Sequence, residues 1–320
     1  MKDFKVDLVY LWCDGSDPEF KKKKDLWREK KGTSASGEAT SAARFVQIDE
    51  LKYSLRSVEK YMPWINHIYI VTSNQTPKWL NTENPKITII DDSQLVPKRF
   101  LPVFNSNAIE AALHKIPNLS EHFLYACDDM FINRPLKKSF FYQDEKTAII
   151  RVKNNCLNPC TLYAEQLAYA VSLMKRDFGK EIPFFGENKI EPHHNIDAYL
   201  KSDYKDCFQH FKKEYTETFK HRFRKVTSIQ RYIVSIWSFI HHHGQVKTIP
   251  IPTKRMDKNP ITLDSLYMSN RYGEDRLNRL SLYNPGLFCL NDGELSCPED
   301  RIRAKQFLNN RFPKKSKFEK

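Results

Sequence analysis

The stretch HFLYACDDMF (122–131) contains the strongest indication of the fold. Phe123 to Cys127 is an apolar run of the kind that forms a strand covered on both faces of a sheet. Asp128 and Asp129 follow directly, where that strand should end. Ligands in open α/β sheets bind outside the carboxyl ends of the strands. The two aspartates are therefore either solvated loop residues or hard oxygen ligands for Mg²⁺ or Mn²⁺.

Strands and helices alternate before this stretch, which predicts an α/β fold with a mostly parallel sheet and helices on both faces. The apolar periodicity predicts strands at 8–12, 65–72 and 86–90 and helices at 49–60 and 105–115. Asn105 or Ser106 is the expected N-cap of the second helix. Residues 148–152 are expected to add an edge strand to this sheet.

The second half of the chain has a different pattern. Its periodicity predicts four helices with polar faces rich in Lys, Arg and His, at 161–177, 195–215, 227–243 and 299–311. We therefore expect one domain over 1–320, with an α/β core at 1–150 and a mainly helical portion at 151–320 that completes the active-site edge. The small, polar segment 32–43 is either a lid over substrate or a surface insertion. The basic tail FPKKSKFEK (312–320) is expected to fray.

The net charge of +13 and the pI of about 9.2 indicate anionic partners. Sugar nucleotides, phosphodiester polymers, anionic lipid surfaces and nucleic acid all fit that charge. No apolar run approaches the roughly 20 residues of a membrane span, and the N-terminal run is too short for a signal peptide, so a cytoplasmic location is expected. The seven scattered cysteines favour reduced thiols over a disulfide or zinc framework.

Several polar clusters are candidates for chemistry, and three acids follow predicted strands directly: Asp14, Asp91 and Asp128. The carboxyl ends of parallel strands share one edge, so these acids could converge there. Each cluster also has an ordinary explanation, because DGSDP (14–18) is good turn chemistry and an acid at position 50 suits the first turn of a helix. No Gly-rich nucleotide loop is present in the sequence.

Three long segments closely resemble the first two conserved regions of the Stealth family, which transfers hexose-1-phosphates to capsular polysaccharides: DLVYLWCDGSDP (7–18), 44–80 and 101–131. PHHNID (192–197) with FRKVTSIQ (223–230) is similar to the third region, and CLNDG (289–293) to the fourth. The resemblance implies a Rossmann-like, glycosyltransferase-A-like fold. It also implies transfer of a sugar-1-phosphate from a nucleoside diphosphate sugar, most simply a UDP-sugar, to a hydroxyl of a glycan or lipid-linked oligosaccharide.

The resemblance also assigns roles to residues of this chain. The expected catalytic residues are Glu50, Asp129, His194 and Arg224. The expected metal ligands, for Mg²⁺ or Mn²⁺, are Asp128 and Asp129. The expected substrate-binding residues are Asp14, Gly15, Ser16, Asp17, Arg44, Asn105, Ser106, Asn291 and Asp292. His194 is expected at the start of a helix, and Arg224 follows 30 residues later, a distance over which helical packing can return the chain to one pocket.

One residue departs from the family pattern, because Cys127 stands where the family usually has asparagine.

Two alternative functions stay open. The first is an ordinary metal-dependent glycosyltransferase, which would use the same aspartates but would cleave the sugar–oxygen bond. A non-catalytic basic protein that binds glycan or nucleic acid is the remaining alternative, and the repeated strand-end acids argue against it. We expect no nucleic-acid partner, and the basic charge allows peripheral contact with an anionic membrane at its inner face.

Overall fold

The computed structural model describes residues 3–30, 46–154, 161–179, 182, 190–249, 263–268, 276–293 and 295–320. The strands are β1 (Val6–Leu11), β2 (Ile68–Thr72), β3 (Ile87–Asp91), β4 (His122–Cys127), β5 (Met130–Ile132), β6 (Tyr142–Asp144), β7 (Thr147–Asn154), β8 (Ile190–Pro192), β9 (Asp197–Leu200), β10 (Gly244–Ile249), β11 (Leu263–Tyr267) and β12 (Leu287–Asn291). The helices are α1 (Pro18–Lys30), α2 (Glu50–Tyr61), α3 (Ser106–Glu110), α4 (Lys138–Phe141), α5 (Leu162–Phe178), α6 (Lys201–His210), α7 (Lys212–Lys220), α8 (Tyr232–Ile240), α9 (Arg276–Tyr283) and α10 (Pro298–Arg311).

The central sheet has five strands in the order β3-β2-β1-β4-β9. The first four are parallel, with β1 paired to both β2 and β4. Strand β9 forms the edge of the sheet and pairs antiparallel with β4, with Tyr125 opposite Asp197. The mostly parallel α/β sheet predicted from the sequence is confirmed. Its parallel strands bring the residues that follow β1 and β4 to one edge.

Helices cover both faces of this sheet, as predicted. Along β4, Phe123 and Tyr125 point to one core, while Leu124 and Ala126 point to the other. Helix α2 packs on the second face, with its residues Leu51, Leu55 and Val58 buried there. Helices α5, α6 and α8 contribute to the first face. Since side chains of a strand alternate between faces, a strand that is apolar throughout must be covered twice.

Two smaller sheets flank the central one. One has the order β10-β7-β6, with β8 also paired to β7, and the other has the order β11-β12-β5. Strand β5 starts immediately after Asp129, and β12 runs antiparallel to it with Cys289 opposite Met130. This pairing places the end of β12 beside the two aspartates.

Several expectations for the second half are wrong in detail. The segment 148–152 is not an edge strand of the central sheet, because β7 lies within the second sheet between β10 and β6. The helix predicted over 195–215 begins with strand β9, whose backbone pairs with the otherwise open edge of β4. The helix predicted over 227–243 is shorter and gives way to β10. The described residues after 150 therefore mix strands with helices.

The C-terminal tail is anchored, so the expectation that it frays is wrong. Arg56 forms two hydrogen bonds with the Glu319 carboxylate, at 2.8 and 2.7 Å. The backbone amide of Asn81 donates to the Phe318 carbonyl at 2.8 Å, and Phe318 itself is buried. Charge and composition predicted a solvated tail, but specific tertiary contacts hold it in place.

Within the described residues, no helix is both long enough and apolar enough to cross a membrane.

Candidate active site

Two aspartates form the centre of the site, in the turn between β4 and β5. The Leu290 amide of β12 donates to the backbone carbonyl of Asp129 at 3.0 Å, which fixes the turn against the third sheet. The Oδ1 atom of Asp129 is buried and accepts no hydrogen bond from any residue the structure describes. A buried carboxylate oxygen without a donor is costly, so this atom fits a site for a cation.

Glu50, the first residue of α2, interacts electrostatically with the two aspartates. It is buried, and its Oε2 accepts a hydrogen bond from the Ile48 amide at 2.7 Å. Burial raises the pKa of Glu50 well above its ordinary value, and the charges of Asp128 and Asp129 raise it further. Burial, followed by the charge of Asp128, likewise raises the pKa of Asp129 to about 7. The three carboxyl groups therefore act on one another electrostatically, and their combined negative charge favours a positive partner.

Gln47 ties the end of β1 to the aspartates, a role that the sequence analysis missed. Its Nε2 donates to Oδ2 of Asp128 at 3.0 Å and to the Cys13 carbonyl at 3.1 Å. Its Oε1 accepts from the Trp12 indole at 3.3 Å. The amide is therefore held in one orientation and fixes Asp128. Gln47 lies within the segment that carried the resemblance, but nothing in its local pattern distinguished it.

His194 lies in the bend between β8 and β9, so its expected place at the start of a helix is wrong. Burial lowers the pKa of His194 to about 3, and the positive charges of Arg231, Lys153 and Arg224 add to that effect. Its side chain is hydrogen-bonded to the side chain of Asn291 at the end of β12. The imidazole is therefore neutral at neutral pH and is able to accept a proton.

One group of three possible metal ligands occurs among the described residues: a carboxylate oxygen of Asp129, a ring nitrogen of His194 and the sulfur of Cys289, all within 4.8 Å of one another. The fold thus brings PHHNID (192–197) and CLNDG (289–293) to the aspartates that follow β4. The unsatisfied Oδ1 of Asp129 fits a divalent cation. Asp128, the other expected ligand, is not part of this group, so its role as a ligand stays a prediction. Cys289 adds a softer donor that sequence reasoning did not select.

Arg224 acts electrostatically on His194. That the two side chains face one pocket stays a prediction. Arg224 belongs to the loop after α7, and its Nη2 donates to the Ser106 hydroxyl at 2.6 Å. Its charge contributes to the lowered pKa of His194, so the guanidinium and the imidazole are near each other. Ser106, the first residue of α3, thereby orients Arg224.

Asn105 is fully buried and caps α3, accepting a hydrogen bond from the Asn107 amide at 3.1 Å. Its Nδ2 donates to the His221 carbonyl at 3.0 Å and to the Ser228 hydroxyl at 3.3 Å. These contacts use the whole amide inside the protein. Asn105 therefore holds the loop that carries Arg224, while its expected contact with substrate stays a prediction.

The turn after β1 uses its polar side chains locally. Oδ1 of Asp14 accepts from the Ser16 amide at 2.8 Å and from the Ser16 hydroxyl at 2.6 Å. Asp17 accepts from the Phe20 amide at 2.8 Å and so caps α1. Gln75 bonds the Asp14 backbone at both its amide and its carbonyl, each at 2.9 Å. These hydrogen bonds hold the turn, which includes Gly15, in one conformation against the residues that follow β2.

The strand-end acids converge only in part. Asp128 follows β4 and acts electrostatically on the partly buried Cys13, which follows β1. Desolvation raises the pKa of the Cys13 thiol, and the charge of Asp128 raises it further. Asp91 lies at the end of β3, two strands away from β1, and accepts from the Asn74 amide at 2.6 Å. The expectation that all three acids share one site therefore holds only for the β1 and β4 ends.

Asp292 follows β12 and is paired with Arg301 of α10, with Nε to Oδ2 at 2.7 Å and Nη2 to Oδ1 at 3.3 Å. The Gly293 amide also donates to its Oδ1 at 2.8 Å. Asn291 therefore faces His194, whereas Asp292 anchors the following turn.

Some residues considered in the sequence analysis lie outside the described residues: Arg44, the segment 32–43, Cys156 and Cys160. The five described cysteines are free thiols.

A buried arginine lies beneath the site and was also missed. Arg231 is 8% exposed, and its Nε donates to Oδ2 of Asp197 at 3.1 Å. Its guanidinium lies 4.7 Å from the centre of the Tyr125 ring and 4.6 Å from that of Tyr232. Its charge partly offsets the raised pKa of Asp129. A sequence signal existed, because Asp197 ends PHHNID and Arg231 directly follows FRKVTSIQ.

Comparison with known proteins agrees with the resemblance. Residues 4–32 match the family model for Stealth protein CR1, conserved region 1, and residues 44–150 match Stealth protein CR2, conserved region 2. The assignments of the third and fourth regions to PHHNID, FRKVTSIQ and CLNDG stay predictions.

Several relatives match almost the whole chain. It is 31% identical over 319 residues to capsular polysaccharide phosphotransferase LcbA of Aeromonas hydrophila, covering 97% of this chain and 85% of that protein. It is 35% identical over 328 residues to exopolysaccharide phosphotransferase CpsY of Mycobacterium leprae (strain TN), covering 99% of this chain but only 57% of that protein. The chain thus spans little more than half the length of the second relative.

Among solved structures, galactosyltransferase LgtC in complex with donor and acceptor sugar analogs overlaps with a TM-score of 0.44 and 11% identity. The overlap covers 96% of this chain and 95% of that one. The family models and the near-complete match to LcbA carry the assignment: the chain belongs to the Stealth family.

Proposed function

We propose that the protein transfers a hexose-1-phosphate, or an N-acetylhexosamine-1-phosphate, from a nucleoside diphosphate sugar to a glycan hydroxyl. A UDP-sugar is the first donor to test. The observation that carries this proposal is the meeting of Glu50, Asp128 and Asp129 with His194 and Arg224 at one edge of the sheet. The names of the phosphotransferase relatives support the same reaction in capsular or exopolysaccharide synthesis.

The reaction exchanges one phosphorus–oxygen bond for another. The acceptor hydroxyl oxygen attacks the phosphorus that carries the sugar, the phosphoanhydride bond breaks, and a nucleoside monophosphate leaves. The sugar C1–oxygen bond survives, so the product is a phosphodiester. Catalysis of such a step requires mainly positioning and charge neutralisation, with a base for the hydroxyl proton.

Asp128 and Asp129 would hold the divalent cation, Mg²⁺ or Mn²⁺. When bound, such an ion neutralises charge on the diphosphate. The buried, unsatisfied Oδ1 of Asp129 and the clustered carboxyl groups support this assignment. Gln47 keeps Asp128 in position, since its amide is fixed by three partners.

Arg224 would bind the transferred phosphate, because a planar guanidinium fork matches the phosphate oxygens. His194 would take the proton of the acceptor hydroxyl. Its imidazole is neutral, and a bound phosphate would raise its pKa from about 3 toward the working range because opposite charges favour protonation. If His194 instead donates a hydrogen bond to the phosphate, Asp129 is the next candidate base.

The direct test is incubation with a panel of nucleoside diphosphate sugars and capsule oligosaccharides. We expect release of the nucleoside monophosphate and a phosphodiester signal in the phosphorus NMR spectrum of the product. Release of the nucleoside diphosphate, with no phosphorus in the new linkage, would identify an ordinary glycosyltransferase. Absence of any turnover across the panel, with retained glycan binding, would favour a binding protein. An Asp129→Asn variant should lose turnover, whereas the matched exposed change Glu83→Gln should not.

A further inference from the structure

A cavity of about 470 Å³ lies on the β2–β3 side of the central sheet. His67 and Tyr69 line it from one face, because they are two residues apart, and Thr88 lies opposite Tyr69 in the register. The exposed side chains of Gln94 and Asn118 also line it. The volume falls within the range of about 300–1,000 Å³ that is typical of small-molecule sites.

This cavity is separate from the candidate active site. Strand β1 lies between β2 and β4 in the sheet, and the two aspartates of the site follow β4. The cavity includes Asn66, which precedes β2 and so lies at the opposite end of the strands. None of the described residues that line the cavity belongs to the candidate active site. A molecule bound here would therefore not touch the reacting groups.

Tyr69 contributes a hydroxyl that has no partner inside the protein. The residue is only 5% exposed, yet its hydroxyl forms no hydrogen bond with any residue that the structure describes. A buried tyrosine hydroxyl usually has a partner, because removing it from water without replacing the lost hydrogen bond costs free energy. Desolvation raises the pKa of Tyr69 to about 12, so the hydroxyl stays protonated and can donate to a bound molecule.

Three amide side chains around the cavity can also bond a ligand. Those of Gln94 and Asn118 form no hydrogen bond with a described residue. The Asn66 Nδ2 donates to Oδ1 of the buried Asp7 at 2.7 Å, while Oδ2 of Asp7 accepts from the Ser120 amide at 2.7 Å. These contacts fix Asn66, whose own side-chain oxygen accepts no hydrogen bond from the described part of the chain. Amides both donate and accept, which suits a ligand rich in hydroxyls.

The cavity lacks the cations that an anionic ligand would need. The described residues that line it include no Lys, Arg, Asp or Glu, although the net charge of the chain is +13. The nearest lysines in sequence, Lys86 and Lys115, donate to backbone carbonyls of residues outside the lining. Desolvation lowers the pKa of His67, on which Asp7 and Lys86 act with opposite signs, so its imidazole is neutral. A nucleotide or phosphodiester would find no net positive charge here, which favours a neutral ligand.

A pyranose sugar has the matching chemistry. Its hydroxyls can bond the amides and the phenol, and its C–H groups can pack on the rings of His67 and Tyr69, whose centres are 4.7 Å apart. We propose that this cavity binds a neutral sugar residue of a glycan, at a site separate from the reaction centre. The inference does not depend on the proposed function, because it concerns binding and no step of the reaction.

The experiment is saturation-transfer NMR with the methyl glycosides of glucose, galactose, mannose, N-acetylglucosamine and N-acetylgalactosamine. We expect transfer to at least one of them, and added NaCl should leave its Kd unchanged because no ion pair is involved. The methyl signals of Ile90, which lines the cavity, should shift as that sugar is added. Excess UDP should not displace the sugar, since the two sites are separate.

Two variants locate the binding. Tyr69→Phe removes only the hydroxyl without an internal partner and should weaken binding by about 3- to 10-fold without lowering the Tm. Gln94→Ala/Asn118→Gly removes two exposed amides and should weaken binding by about 10-fold or more, and glycine suits the φ of 60° at position 118. The matched control Gln143→Ala/Asn74→Gly changes exposed residues that do not line the cavity, with a φ of 53° at Asn74, and should bind as the wild type does.

Thermal unfolding of each variant verifies that the fold is intact. Failure of every glycoside to bind would overturn the proposal, as would unchanged binding in both cavity variants or an equal loss in the control. Displacement of the sugar by UDP would place it in the candidate active site instead. Binding of uridine but of no glycoside, with the loss in the cavity variants, would replace the sugar with a nucleoside. Release of nucleoside monophosphate by the wild type tests the proposed function separately.

Discussion

At the scale of single residues, the site is defined by charges that the fold leaves without full compensation. Burial raises the pKa values of Glu50 and Asp129 and lowers that of His194. Such opposed shifts within one cleft are typical of functional sites. A solvated loop carboxylate was one of the two alternatives for Asp129, but the structure shows its Oδ1 buried.

The roles of His194 and Arg224 can be tested by conservative substitutions. Arg224→Lys keeps the charge but loses the guanidinium fork and its bond to Ser106, so we expect turnover to fall by about 100-fold. His194→Gln keeps a donor but cannot accept a proton, and a similar or larger loss is expected if the imidazole is the base. Near wild-type turnover in His194→Gln would assign the base role to Asp129. Steady-state rates of nucleoside monophosphate release measure both.

His114 predicts a component of the pH dependence of stability. Burial lowers its pKa to about 4, whereas histidine in an unfolded chain titrates near about 6.5. Between these values the unfolded chain binds a proton that the folded protein does not. The free energy of unfolding should therefore fall as the pH decreases through this window, by at most about 3 kcal/mol.

The variant His114→Leu removes that component. Urea denaturation at pH 7 and pH 4.5 should show a smaller decrease for this variant than for the wild type. The exposed His242 has φ of 64°, which asparagine tolerates, so His242→Asn is a suitable control that should keep the wild-type dependence. An unchanged pH dependence in His114→Leu would show that His114 is not the source.

At the scale of elements, the order of pairing decides which residues meet. Strand β5 begins directly after the aspartates and pairs with β12, which brings Cys289 and Asn291 to Asp129 and His194. Strand β9 pairs with β4 and carries Asp197 to the buried Arg231. Neither pairing is evident from the local patterns, because both strands are short and lie far along the chain from their partners.

The anchored tail gives a prediction at this scale. Arg56 of α2 bonds the Glu319 carboxylate and the Phe312 carbonyl, and the ion pair is mostly buried. Removing one member of such a pair leaves an uncompensated charge, so Arg56→Met should lower the free energy of unfolding by about 3 kcal/mol. Lys317 lies 3.7 Å from Glu59 with half of its side chain exposed, and Lys317→Met should change it by less than about 1 kcal/mol. Equal effects in urea denaturation would show that the tail contacts contribute little.

At the scale of the whole molecule, metal binding should increase the stability of the folded protein. A ligand that binds only the folded state at 100 times its Kd stabilises it by about 2.7 kcal/mol, so Mg²⁺ or Mn²⁺ should raise the Tm by several degrees. EDTA should abolish turnover, and either ion should restore it. Full turnover in excess chelator would contradict the proposed metal role.

The variant Asp129→Asn separates metal binding from folding. Without metal its Tm should equal or exceed that of the wild type, because a buried, unsatisfied carboxylate is costly. With metal it should show no further increase, whereas Glu83→Gln should respond as the wild type does. A normal metal-induced increase in Asp129→Asn would exclude this carboxylate as a ligand.

The sequence by itself determined the parallel core, since apolar runs that alternate with amphipathic helices can bury their surfaces in few other ways. It also determined the family, because the long segments around DGSDP and ACDD keep their residues in order. Tertiary structure alone decided the anchored tail, the place of β9, the clamp made by Gln47 and the buried Arg231. These features depend on contacts between residues from 34 to 263 positions apart. Local propensity carries no information about such pairings, because their free energy exists only once the sheet edges and helices are in place.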